Sequence, residues 1–234
     1  MTANPWFSSW NYDLFHLLFS LVPHSNFTDE CCKFLVLYPL VSSWIFAACF
    51  YKLWTRDDEQ RASRRRYLIN AVLAFGIACL VTLIVRPWIH WPAPVLNPAF
   101  QPLFPRDFWG NGSRNCFPSH STLAYVTIAL GFWPLNRRLS LWLSGVTLLF
   151  ISFPRVYVGG HYPIDVLFSC FLAIVVLTTV WHWPVLARLP NRLLSHNSPK
   201  GFQYLIFFFW VFELADGFRG TELLAGVVHH AFLR

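Results

Sequence analysis

Five long apolar runs leave this chain few folds to choose from. They cover roughly residues 34–54, 67–85, 121–135, 141–158 and 162–183. About twenty apolar residues is the length an α-helix needs to cross a bilayer. The third run is short, but it can begin at Pro118, a good first helical residue. The chain has 234 residues, 56% of them hydrophobic and 12% charged. That charged share is about half the usual one for a soluble domain, and a soluble protein has nowhere to hide so much apolar surface. The expected fold class is therefore all-α integral membrane: a single domain over 1–234, a bundle of five to six transmembrane helices with an interfacial N-terminal helix.

The N-terminal stretch 12–22 is too short to span and is broken by Pro23. Phe15, Leu18, Phe19 and Val22 fall at helical spacing, with Trp6, Trp10 and Tyr12 just before them. This pattern suits a helix lying in the membrane interface. There is no Lys or Arg before Lys33 and no small-residue cleavage site, so no signal peptide is expected.

Basic residues set the orientation. Arg56, Arg61, Arg64, Arg65 and Arg66 sit in one loop, Arg137 and Arg138 in another, and Arg188, Arg192 and Lys200 in a third. If each run crosses once, all three loops share a side, and the positive-inside rule makes that side cytoplasmic. The formal net charge of +7 belongs to those loops, so no nucleic-acid partner is implied. Residues 1–32, 86–118 and 155–161 then lie outside. A sixth apolar run at 202–217, carrying Glu213 and Asp216, either crosses or lies along the inner surface.

The outer stretch 86–118 is long and rich in Pro, Trp and Phe, including Trp88, Trp91 and Trp109. Long uncommitted loops are usually functional. This one reads either as a lid over a lipid substrate or as an interfacial anchor. Cys49, Cys79 and Cys170 lie inside apolar runs as packing residues, whereas Cys31, Cys32 and Cys116 fall outside. A disulfide between Cys116 and Cys31 or Cys32 is therefore open.

Two polar knots interrupt the apolar sequence, and both fall on the outer side. The first is Arg155, Gly159-Gly160, His161 and Asp165. The glycines allow a tight turn. If 161–165 is helical, His161 and Asp165 share a face. Asp165 then accepts from one ring nitrogen and leaves the other as a nucleophile. Arg155 offers a planar fork for phosphate oxygens. The second knot is Pro118-Ser119-His120 at a helix start, a natural anion site. There Ser119 can cap the helix and donate to phosphate, and His120 can protonate a leaving oxygen. A Ser-His-Asp hydrolase reading of Ser119, His161 and Asp165 lacks a G-x-S-x-G turn and leaves Arg155 without a role.

These residues resemble the type-2 phosphatidic acid phosphatase superfamily, membrane relatives of the vanadium-dependent haloperoxidases. That family carries the motifs K-x6-R-P, P-S-G-H and S-R-x5-H-x3-D. Arg155, His161 and Asp165 match the third, and Pro118, Ser119 and His120 match the second without its Gly. The resemblance covers roughly residues 12–183. It implies that His161 forms a phospho-histidine, that Asp165 orients it and that His120 is the general acid. Arg155, Ser119, Arg86 and Gly160 would hold the phosphate, with no metal and no cofactor. Because the Gly is missing, Ser121 can align at the acid position instead. In the first motif, either Arg86-Pro87 is the R-P and Cys79 takes the Lys position, or Arg86 takes the Lys position and Ala93-Pro94 replaces R-P. Arg106 and Arg114 in the same loop can compensate for the lost basic group.

The expected function is metal-independent hydrolysis of a phosphate or diphosphate on a membrane lipid at the outer face. A polyprenyl diphosphate is favoured, because the Asn11–Leu18 run resembles members acting on undecaprenyl diphosphate. Phosphatidic acid, phosphatidylglycerol phosphate and lipid A remain open. A phosphotransferase on the same scaffold and a non-catalytic lipid-phosphate-binding or scaffold protein are the competing readings. Membrane lipids and the lipid phosphate are the expected partners. The expected location is a bacterial inner membrane with the site facing the periplasm or the outside.

Overall fold

Prolines and short polar caps set the helix boundaries. A computed structural model describes residues 5–22, 25–85, 88–89, 91–98, 100–104, 115–183, 186, 188 and 190. Its helices are α1 (Pro5–Ser20), α2 (Asn26–Leu37), α3 (Pro39–Thr55), α4 (Arg61–Val85), α5 (His120–Gly131), α6 (Arg137–Val146), α7 (Phe153–Tyr157) and α8 (Pro163–His182). Two 3-10 turns, Pro94–Leu96 and Gln101–Leu103, precede α5, and a π-helical segment, Thr147–Ser152, joins α6 to α7. No strand occurs among the described residues.

The run expected at 34–54 is not one helix. Tyr38 ends α2 and begins α3, with Pro39 at the first position of α3. Proline has no amide proton to give a helix interior but is well placed in a first turn. Pro118 does not start the third helix either: α5 begins at His120, with Ser119 at its N-cap. α2 and α6 have side-chain caps, Ser25 accepting from Thr28 N at 3.1 Å and Asn136 accepting from Leu139 N at 3.0 Å.

Among the described residues, three stretches are long and apolar enough to cross a membrane: Arg61–Thr82, Arg137–Tyr157 and Pro163–His182. α3 and α5 are shorter, at 17 and 12 residues. Large apolar side chains face outward along the helices, among them Trp44, Leu80, Ile84, Leu149, Phe171 and Ile174. Such a belt suits lipid and not water, and the chain is a membrane protein. The run at 202–217 lies outside the described residues.

α5 forms the axis of the bundle, packed against α4, α6 and α8. Its two sides carry separate cores. Phe46, Phe50, Leu68 and Phe75 meet Tyr125, Ile128 and Phe132 on one side. Ala74, Ala78 and Leu123 meet Ala173, Val176 and Val180 on the other. A third cluster closes one end, where Phe15 of α1 meets Phe100 and Phe104 of the long loop, with Cys116, Val156 and Tyr162. Phe15, read from sequence as facing the membrane interface, is thus fully buried. At the same end Tyr157 Oη donates to Asp29 Oδ1 at 2.6 Å, so α1, α2, the described part of the long loop and the Arg155 turn gather together.

At the α3–α4 turn, Arg64 is buried and donates to Leu53 O and Arg56 O. Its Nη1 also lies 2.6 and 2.8 Å from the two Asp58 carboxylate oxygens. That guanidinium is the main reason the Asp58 carboxyl is held below its usual range.

Candidate active site

The first knot is built by a turn that folds back on itself. Pro154 cannot supply an amide proton inside a helix. The backbone widens ahead of it, and Phe153 N reaches back five residues to Leu148 O. After Tyr157 the helix stops. Gly159 takes φ +73°, and a Cβ there would lie 2.6 Å from the Phe104 ring, so only glycine fits. Gly160 N and His161 N then return to the Arg155 carbonyl at 2.9 and 3.3 Å. A Cβ on Gly160 would lie 3.2 Å from that same oxygen. The turn thereby ties Arg155 and His161 together. The half-buried Arg155 side chain is steadied by Nη1 donating to Ile151 O at 2.9 Å.

His161 and Asp165 do meet, but not on a shared helical face. His161 precedes the helix, Tyr162 is the N-cap and Pro163 is the first residue of α8. Asp165 is fully buried in the first turn, and its Oδ2 accepts from Tyr162 N at 2.9 Å. This capping contact aims the carboxylate back at the turn, where Oδ2 stands 3.6 Å from His161 Nδ1. The separation is just beyond a hydrogen bond. His161 Nδ1 and Asp165 Oδ1 are buried without a hydrogen-bond partner among the described residues, a loose arrangement that unliganded catalytic sites often show.

Cys116, which the sequence reading took only for a disulfide, is the third member. Its Sγ, a His161 ring nitrogen and an Asp165 carboxylate oxygen all lie within 4.8 Å of one another. Cys116, Cys31 and Cys32 are free thiols, so the open disulfide is not formed. Burial and the neighbouring Asp165 carboxylate push the Cys116 thiol upward, which keeps its proton in place as a donor. Cys116 N donates to Trp91 O at 2.8 Å, so the long loop sets its position. A thiol, an imidazole and a carboxylate can together hold a thiophilic divalent cation.

The second knot joins the first through hydroxyl groups. Ser169 of α8 lies 2.6 Å from Asp165 O and 3.0 Å from Ser119 O. Ser119 is the N-cap of α5, yet its hydroxyl makes no cap bond. It meets Thr122 Oγ1 at 2.9 Å, and Thr122 in turn meets Ser152 Oγ at 2.9 Å. Sequence reasoning missed Ser169, Thr122 and Ser152, although Ser169 lies one helical turn beyond Asp165 on the same face of α8.

His120 is placed otherwise than expected. It is buried, and its ring faces α4: Nδ1 lies 3.1 Å from Thr82 Oγ1 and Nε2 lies 3.9 Å from Cys79 Sγ. Thr82 also lies within bonding distance of the carbonyls of Ala78 and Cys79. With its proton given to a carbonyl, Thr82 accepts from His120 Nδ1–H. His120 thus sits beside Cys79, the residue at the Lys position in one alignment of the first motif. Ser121 is half-buried in the first turn of α5. Arg86, Arg106 and Arg114 lie outside the described residues.

A comparison with protein families matches residues 66–188 to the PAP2 superfamily. Among curated proteins, the chain is similar to the undecaprenyl-diphosphatase BcrC of Bacillus subtilis (strain 168). The two are 28% identical over 167 residues, 71% of this chain and 80% of that protein. A comparison with solved structures finds no significant match. The matched stretch spans α4 to α8 and contains the Arg155–His161 turn, Asp165, Cys116 and Ser119. A buried carboxylate behind a histidine, an arginine on the same turn and a family match across more than half of the sequence lead to one conclusion: the chain belongs to the PAP2 superfamily and is a membrane phosphohydrolase.

Proposed function

We propose that this protein hydrolyses a polyprenyl diphosphate at the outer face of the membrane through a phospho-histidine on His161. The observation that carries the reading is the turn that returns His161 N to the Arg155 carbonyl and sets His161 Nδ1 3.6 Å from Asp165 Oδ2. Asp165 accepts from His161 Nδ1–H and holds that tautomer, leaving Nε2 with its lone pair toward the phosphorus. Arg155 and the start of α5 at Ser119 balance the charge on the phosphate oxygens. As the N–P bond forms, the P–O bond to the leaving group breaks. Water then attacks the phospho-histidine and releases inorganic phosphate, and His161 is regenerated.

His120 bears on the choice of substrate. Its ring nitrogens face Thr82 and Cys79, so it is poorly disposed to protonate a leaving group. A lipid alkoxide leaving from a monoester needs that proton. A lipid monophosphate leaving from a diphosphate does not, because its second ionisation lies near 6. The site therefore favours diphosphates, in keeping with the printed name of the Bacillus relative.

Five crossings, with the basic loops inside and the Arg155 turn outside, complete the reading. The three long stretches are completed by α3 and α5. α5 is enclosed by its neighbours and needs no full lipid-facing length. α1, with its apolar face turned onto the long loop, lies across the outer end. Phosphate release from undecaprenyl diphosphate, phosphatidic acid, phosphatidylglycerol phosphate and lipid A tests the whole. The diphosphate is expected to be fastest, and equal or faster release from the monoesters would overturn the preference.

A further inference from the structure

Near the Arg155 turn, four elements line a groove of about 330 Å3. α1 contributes Leu14 and Leu18, the π segment and α7 contribute Ser152 and Val156, and α8 contributes Pro163 and Val166. Its lining is almost wholly apolar. Ser152 is its polar exception, and that hydroxyl is engaged with Thr122. Its lining is adjacent in the chain to the phosphate site: Val156 follows Arg155, and Pro163 lies between His161 and Asp165.

Among the described residues, aromatic side chains cover one end of the site. Phe104 covers Gly159, and Phe100, Phe15 and Tyr162 pack over the same end. On the inner side stands α5, tied to the site by the Ser169 and Thr122 hydroxyls. A ligand whose anionic head sits at Arg155 therefore has an apolar path leading away between α1, α7 and α8. Inorganic phosphate or a soluble ester would leave that path unused. An amphiphile with a hydrocarbon tail would fill it.

We infer that this groove holds the first isoprenoid units of the substrate tail, and that α1 is a specificity element of the enzyme. The inference rests on the phosphatase reading above. α1 lies outside the stretch 66–188 matched to the family.

The test compares two diphosphates that share the reacting group: undecaprenyl diphosphate, and isopentenyl diphosphate with its single isoprene unit. Leu18→Trp narrows the groove without touching the phosphate site. It should lower kcat/KM for the long substrate about tenfold or more and leave the short one within about twofold. Equal effects on both substrates, or none on either, would overturn the groove; the second result is what an ordinary bilayer lipid in that place predicts. Should Leu18→Trp fail to fold, Leu14→Phe on the same wall carries the same test with the same two outcomes. Failure of the wild type on both diphosphates would overturn the phosphatase reading, and the groove with it.

Discussion

Asp165 shows how little of the site depends on long-range chance. Its carboxylate is aimed by a bond to Tyr162 N, a contact written within four residues of sequence. This is why the Arg155, His161 and Asp165 grouping was legible, although the cap, and not a shared helical face, makes it. Cys116 and His120 were not legible, because their surroundings come from distant elements. Cys116 meets a carboxylate 49 positions away only through the fold of the long loop, and His120 meets Thr82 and Cys79 only through α4–α5 packing. Three outcomes belong to this scale. Arg155→Lys keeps the charge but loses the fork, and kcat/KM should fall roughly tenfold to a hundredfold. Cys116→Ala removes a weak donor to Asp165, and kcat/KM should fall about twofold to tenfold. Cys116→Ser should restore activity; an unchanged kcat/KM in Cys116→Ala would leave Cys116 a packing residue.

Element boundaries were legible where proline or a capping residue marked them. Pro39 carried a first-turn signal that the apolar run around it obscured, and the π segment answers Pro154, two residues beyond its end. Gly159 is the tightest element-scale constraint. An alanine there would meet left-handed strain of about 1–2 kcal/mol and the Phe104 ring as well. Gly159→Ala should lower Tm and activity together, and an unchanged Tm would contradict the turn described. The α3–α4 turn responds to pH. Asp58 is held below its usual value of 3.8 by Arg64. Its contribution to stability is therefore complete above that value and is lost as pH falls through the folded one. Melting curves between about pH 5 and pH 3 should fall more steeply for the wild type than for Asp58→Asn, which has no carboxyl to titrate.

At the scale of the whole molecule, hydropathy and basic loops gave the all-helical membrane fold, because both follow from the bilayer and not from side-chain detail. The number of crossings is less direct. α5 is short because it is enclosed, and its burial depends on three neighbours that no single run reveals. The long loop was read as lid or anchor. Its bonds from Val95 N to Gly159 O and from Trp91 O to Cys116 N bind it to the Arg155 turn, as a cover would be. Among the described residues, the bundle carries the Arg155 turn packed against Phe104, with an apolar groove beside it. The most direct test is phosphate release from undecaprenyl diphosphate in detergent by wild type and His161→Ala, both checked for folding by Tm. The account predicts release by the wild type and a loss of about a thousandfold or more in the variant. A folded His161→Ala protein that still releases phosphate near the wild-type rate would contradict it.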